Sequence, residues 1–138
     1  MASAGLACLM VPIGVSADGH LADSLTVVSW GGAYQASQIK AYANPYAERH
    51  GVEFIWEESA PEAVARLRAM DEANNLTWDV VDAVPSDAIR LCDEGLAEEI
   101  DHNAVLAPAP DGTLPTEDFG DLIVSPCFIP QIVYSTTF

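Results

Sequence analysis

Leu25-Thr26-Val27-Val28-Ser29-Trp30-Gly31-Gly32-Ala33-Tyr34 is the stretch that decides how the rest of the chain is read. Leu25, Val27 and Val28 form a short apolar run, largely β-branched, which is the signature of a buried strand, and the run stops at Trp30. Two glycines then pass the chain to a helix expected to begin near Ala33. The stretch is thus a strand-to-helix turn with an indole at its tip. In open parallel α/β sheets ligands lie outside the carboxyl ends of the strands, so this turn is the first place to look for a site.

Downstream, the same unit recurs twice. The helix after Ala33 has an apolar stripe of Ala36, Ile39, Ala43 and Tyr46, with Tyr42 beside it, at the three-to-four spacing of one buried face. Asn44-Pro45 interrupts it, and proline there implies either a kink or a restart with Asn44 as cap. His50-Gly51 is a helix end, glycine taking the left-handed conformation. Val52 to Glu57 reads as a second strand, and Ser59-Ala60-Pro61-Glu62 as a capping box opening a helix with Val64, Leu67 and Met70 on its core face. Trp78 to Val84 is the third strand, after which Pro85-Ser86-Asp87 opens a short helix carrying Ile89, Leu91 and Cys92 before Gly95. Strand-helix units of about 25 to 30 residues in succession imply a mainly parallel sheet flanked by helices, with right-handed crossovers.

The pattern then stops. Leu96 to Leu106 has mixed periodicity, and Ala107 to Gly120, with three prolines and two glycines, reads as a loop. Leu122 to Tyr134 is apolar but broken by Pro126 and Pro130, which suits an edge or crossing strand. The chain closes on an apolar strand with no cap or return helix, as though cut within a longer protein.

Length and charge bound the function. The 138 residues, half of them hydrophobic, suit one globular unit, and five Lys and Arg against 21 Asp and Glu give a net charge of -16. With no basic patch, nucleic acid and anionic membranes are poor partners, whereas a cationic small molecule is compatible in sign. Acidity also serves solubility, which accounts for most of it. Residues 1–17 carry no charge. Gly5 to Val15 is an apolar run too short to span a bilayer, and Val15-Ser16-Ala17 suits signal peptidase, so a signal peptide cut after Ala17 and a periplasmic destination are expected. No Lys or Arg precedes the run, and Cys8 lacks a lipoprotein context. Removal of the segment leaves Cys92 and Cys127, which form either a disulfide, the favoured reading in an exported chain, or two buried thiols.

An exported chain that reads strand, Trp-Gly-Gly-x-Tyr, helix with an internal proline, strand, helix, then Trp-Asp-Val-Val and Pro-Ser-Asp resembles the amino-terminal lobe of an extracellular solute-binding protein. Within that class it most resembles the spermidine and putrescine group serving ABC importers. The resemblance runs from about Leu25 to Phe138 and lies in the order of the parts. It implies a type II periplasmic-binding-protein lobe over residues 18–131, a hinge crossing strand beginning at 132–138, and a second lobe beyond. It implies a full-length monomer that closes on a small cationic solute, most simply a polyamine, and delivers it to a membrane permease. The aromatic residue after the first strand maps onto Trp30, with Tyr34 one turn further, and the serine after the third strand onto Ser86. Ala88 stands where family members often have an aromatic residue, which leaves an amino acid, opine or metal chelate open as ligand.

The residues themselves carry two opposed signals. An indole or phenol face holds a protonated amine, whereas backbone donors after Gly32 and at Ser86 favour anions or polar groups. Asp87 is the acid in these turns that could reverse the sign, if it does not face solvent. Trp30 and Tyr34 have ordinary packing roles available, and Ser86 is first of all a helix cap. Asp82, in a strand of valines, needs a partner if buried. His20, His50 and His102 lack the spacing of metal ligands and read as surface residues. No cofactor loop is present: Gly31-Gly32 lacks the further glycines of a dinucleotide fingerprint and no phosphate-loop lysine follows. Without a nucleophile constellation, an α/β enzyme fragment is the weaker reading.

Overall fold

The computed structural model describes residues 22–134. The expected signal segment, Cys8, His20 and residues 135–138 lie outside them. Three parallel strands, β1 (Ser24–Val28), β2 (Glu53–Glu57) and β3 (Val80–Val81), form a sheet in the order β2-β1-β3. β1 is therefore central. Its register with β2 runs from Ser24 opposite Glu53 to Val28 opposite Glu57, and Val27 and Val28 pair with Val80 and Val81. Because successive side chains point to opposite faces, Val28 enters one layer while Val27 and Ser29 face the other.

The Val28 face is the principal core. Helix α3 (Ala63–Glu72) contributes Ala63, Val64 and Leu67, and α4 (Pro85–Asp93) contributes Leu91. Trp78 and Ala60 complete the cluster, with Met70, Val81, Leu96 and Ala97 packed on it. The stripe expected on α3 is thus the core stripe.

The opposite face is covered by α1 (Gly32–Gln38), a π-helical turn over Ile39–Ala43, and α2 (Asn44–His50). Here the expected stripe is corrected. Ala36 and Tyr42 are exposed, Tyr46 is largely so, and Gln38 and Ala43 are the buried positions. The cause is the π turn: one extra residue per turn re-phases the face, so buried positions stand five apart. It also settles the Asn44-Pro45 ambiguity. A new helical segment starts at Asn44, but Ala43 is already helical and no side chain caps the junction, so the wider turn absorbs the proline. Gly51 ends α2 in the left-handed conformation (φ 72°), as expected.

Other local expectations fail for physical reasons. The Ser59/Glu62 capping box does not form, because Ala60–Glu62 is a 3-10 turn and Ser59 Oγ accepts from Arg66 Nη1 at 2.7 Å instead. The third strand is shorter than Trp78 to Val84, since Trp78 turns into the core. Asp79 and Asp82 nonetheless extend its bonding, donating to Thr26 O and Val28 O. Helices α5 (His102–Val105) and α6 (Pro115–Phe119) lie where mixed pattern and loop were expected. Asp101 caps α5 by accepting from Ala104 N–H, and Asn103 and Thr116 are joined by three hydrogen bonds across the two helices. Leu122 to Tyr134 makes no strand among the described residues; its two prolines remove ladder donors, and Ile132 to Tyr134 are exposed.

Cys92 and Cys127 are joined in a disulfide with Cα atoms 5.6 Å apart, pinning the end of α4 to the segment after α6. That resolves the choice between bridge and free thiols.

Candidate functional site

The register fixes what stands at the carboxyl ends of the strands. Ser29, Glu58 and Asp82 are the first residues beyond Val28, Glu57 and Val81, which lie side by side. The edge of the sheet therefore carries a hydroxyl flanked by two carboxylates. Trp30 follows Ser29 and is 44% exposed, so its indole is a surface group at the tip of the central strand rather than core.

Beneath it lies a polar network that the sequence did not reveal. Gln38 is only 4% exposed and reaches back from α1 under the turn. Its Oε1 accepts from Ser29 Oγ at 2.6 Å, and its Nε2 donates to Asp82 Oδ2 at 2.8 Å and to Gln131 Oε1 at 3.2 Å. Tyr34, half-buried, donates its hydroxyl to the same Gln131 Oε1 at 3.1 Å. Gln38 is thus the partner that Asp82 requires. Burial raises the Tyr34 phenol above its ordinary value, and the carboxylate of Asp82 and then Tyr42 push in the same direction. The network joins β1, α1, β3 and the 131 segment, fixing Tyr34 one turn from Trp30.

Two glycines make the turn possible. Gly31 and Gly32 have φ of 75° and 57°, conformations costly for residues with a Cβ. A Cβ on Gly31 would also lie 2.7 Å from Glu58 Oε2, so the Glu58 carboxylate rests against the turn itself.

The remaining expected site residues are placed less favourably. Ser86 is exposed in the first turn of α4 but caps nothing, because Pro85 occupies the first helical position and Val84 is the extended residue before it. Asp87 is half-buried beside Pro61, Arg68 and Arg90, toward α3 rather than the Tyr34 network. His50 lies on the surface against Tyr46, with ring centroids 4.3 Å apart. His102 is corrected from surface to buried, at 6% exposure. Its Nε2 donates to Phe128 O at 2.8 Å, which ties α5 to the segment holding Cys127. Among the described residues no cluster of three potential metal ligands occurs, and no helix is long and apolar enough to cross a membrane.

Fold and edge together describe an α/β lobe: a parallel sheet whose central strand ends in an exposed aromatic ring, with Glu58, exposed, and Asp82, half-buried, at the ends of the neighbouring strands. Residues 41–138 match the bacterial extracellular solute-binding protein family, and the chain belongs to it. Over 78 residues it is 40% identical to the gamma-aminobutyric acid-binding protein of Pseudomonas aeruginosa, covering 56% of this chain and 22% of that protein. Among solved structures it is similar to the PBP AgtB from Agrobacterium tumefaciens R10 in complex with agropinic acid. That similarity has a TM-score of 0.55 at 36% identity and covers 64% of this chain and 27% of the other. The chain thus spans about a quarter of the length of these relatives. They are binding proteins rather than enzymes, and neither carries the name of the spermidine and putrescine group.

Proposed function

We propose that this lobe forms one wall of the ligand cleft of a solute-binding protein that captures a small ammonium-bearing solute outside the cytoplasm and delivers it to an ABC importer. The observation that carries this is Trp30, an exposed indole at the tip of the central strand in a chain of this family. In this reading Trp30 supplies the ring face, Tyr34 a second aromatic edge, and Gly32 and Ser86 polar groups at the neighbouring turns, whereas Asp87, turned toward α3, stands apart from this wall. An indole face holds an ammonium with about 0.5 to 2 kcal/mol, more as water is excluded. In this reading a second lobe supplies that exclusion by hinge closure, and residues 1–17 direct export.

The favoured solute class is an amino acid or opine, which carries both an ammonium and a carboxylate. The names of the two relatives support it. A polyamine is the second reading, favoured by the net charge of -16. Calorimetric titration of the protein as encoded with 4-aminobutyrate, an opine, putrescine and spermidine separates the two. Heat with the first pair alone selects the amino-acid class and heat with the second pair alone selects polyamines; silence with all four removes the ammonium-bearing ligand. Trp30→Ala is expected to weaken whichever solute binds by about 3- to 30-fold.

A further inference from the structure

We propose that Glu58 receives the positively charged end of the solute, against the Gly31 turn that follows Trp30. The inference deepens the binding reading above and rests on it.

The backbone holds Glu58 in place. Ser29 N–H donates to Glu57 O at 2.8 Å, and Ser29 O accepts from Ala60 N–H at 3.3 Å. Residues 58 and 59 are therefore bracketed by two bonds to a single residue of the central strand, and they project past its tip. The carboxylate then comes to rest where a side chain at position 31 would begin. Glycine at 31 is thus required by its φ of 75°, and a side chain there would displace the Glu58 carboxylate.

The charge is left uncompensated. Arg66 Nη1 takes Glu57 Oε2 at 3.5 Å and Ser59 Oγ at 2.7 Å, the two neighbours of Glu58, and passes over Glu58 itself. This follows from alternation: residues 57 and 59 face α3, whereas 58 faces the other side. Arg68 is committed to Glu94. Among the described residues the Glu58 carboxylate has neither an ion pair nor a hydrogen bond, and it is exposed. An accessible carboxylate on an anchored backbone, lying against the turn that follows an exposed indole, supplies with that indole the two interactions an ammonium takes best, a charge-assisted hydrogen bond and a π face. The ready alternative is that Glu58 only complements the amino end of α1, which would leave binding untouched.

Tryptophan-labelled protein allows the test, with the Trp30 indole N–H signal assigned through Trp30→Phe. The ligands are 4-aminobutyrate, putrescine and 4-acetamidobutyrate, the last lacking the ammonium. The expected result is a Trp30 shift with both amines. Affinity should fall about five- to tenfold in Glu58→Gln, and the acetylated ligand should bind the unaltered protein more weakly by a similar factor. Equal affinity in the unaltered protein and Glu58→Gln overturns the role of Glu58 while leaving the Trp30 site standing. If Glu58→Gln does not fold, the acetylated ligand decides alone, equal binding overturning the proposal. No Trp30 shift with any ligand overturns site and proposal together.

Discussion

Gln38 is the residue on which the geometry beneath the turn depends. Replacing it by leucine leaves the Ser29 hydroxyl and the half-buried Asp82 without their partner. Gln38→Leu should therefore lower stability by about 2 kcal/mol, read from urea denaturation. Asp82 was conspicuous in the sequence as an acid among valines, but its partner was not. Gln38 occupies a polar position in a stripe whose phase the π turn shifts, and no spacing rule points to it. Tyr34 gives a second test in the same network. Because its folded-state pKa is raised, the native state holds the phenolic proton more tightly than the unfolded chain does. That advantage is constant below the ordinary tyrosine value of 10 and changes only above it: stability falls as pH rises through the folded pKa. Absorbance titration should show one tyrosine ionising later than the rest, and Asp82→Asn should bring it part of the way back, burial being the larger cause.

At the scale of elements, the alternating pattern was informative wherever one face is covered. β1 and α3 lie where hydrophobic periodicity placed them, because each buries apolar side chains in the core around Val28, and β2 lies there through its full register with β1. Leu67→Ala should cost about 2 to 5 kcal/mol, whereas Ile55→Ala, on β2 but 46% exposed, should stay within about 0.5 kcal/mol; urea midpoints check both. Helices α5 and α6 escaped because four or five residues carry no period to read. They exist through a cap at Asp101, the Asn103–Thr116 pair and the His102 bond to Phe128, all contacts to residues distant in sequence or specific in geometry. The broken apolar run after Leu122 misled for the complementary reason: apolar composition suggested a strand, but Pro126 and Pro130 remove the donors a strand needs. At the edge of the sheet, Trp30 was legible from its place at the end of a strand. Glu58 was not, since its relation to Gly31 follows from strand register and not from any local motif.

Across the whole molecule two terms oppose each other. A net charge of -16 repels itself, and the repulsion is screened as the Debye length falls from about 30 Å at 0.01 M salt to about 8 Å at 0.15 M. Urea midpoints should accordingly rise over that range. The Cys92–Cys127 bridge works the other way, closing a loop of 35 residues and stabilising by about 3 to 4 kcal/mol in the chain-entropy picture. Reduction should lower the melting temperature and loosen α5 and α6 first, since their ties run to the segment around Cys127. The bridge has another effect. A protease that cuts any one bond between Asp93 and Pro126, within the proline-rich stretch for example, creates two chains but frees neither. The nicked protein should migrate as one species without reductant and as two with it. Export into a space rich in proteases would thus expose this lobe to wounds that leave its sheet, its turn and the Trp30 face assembled.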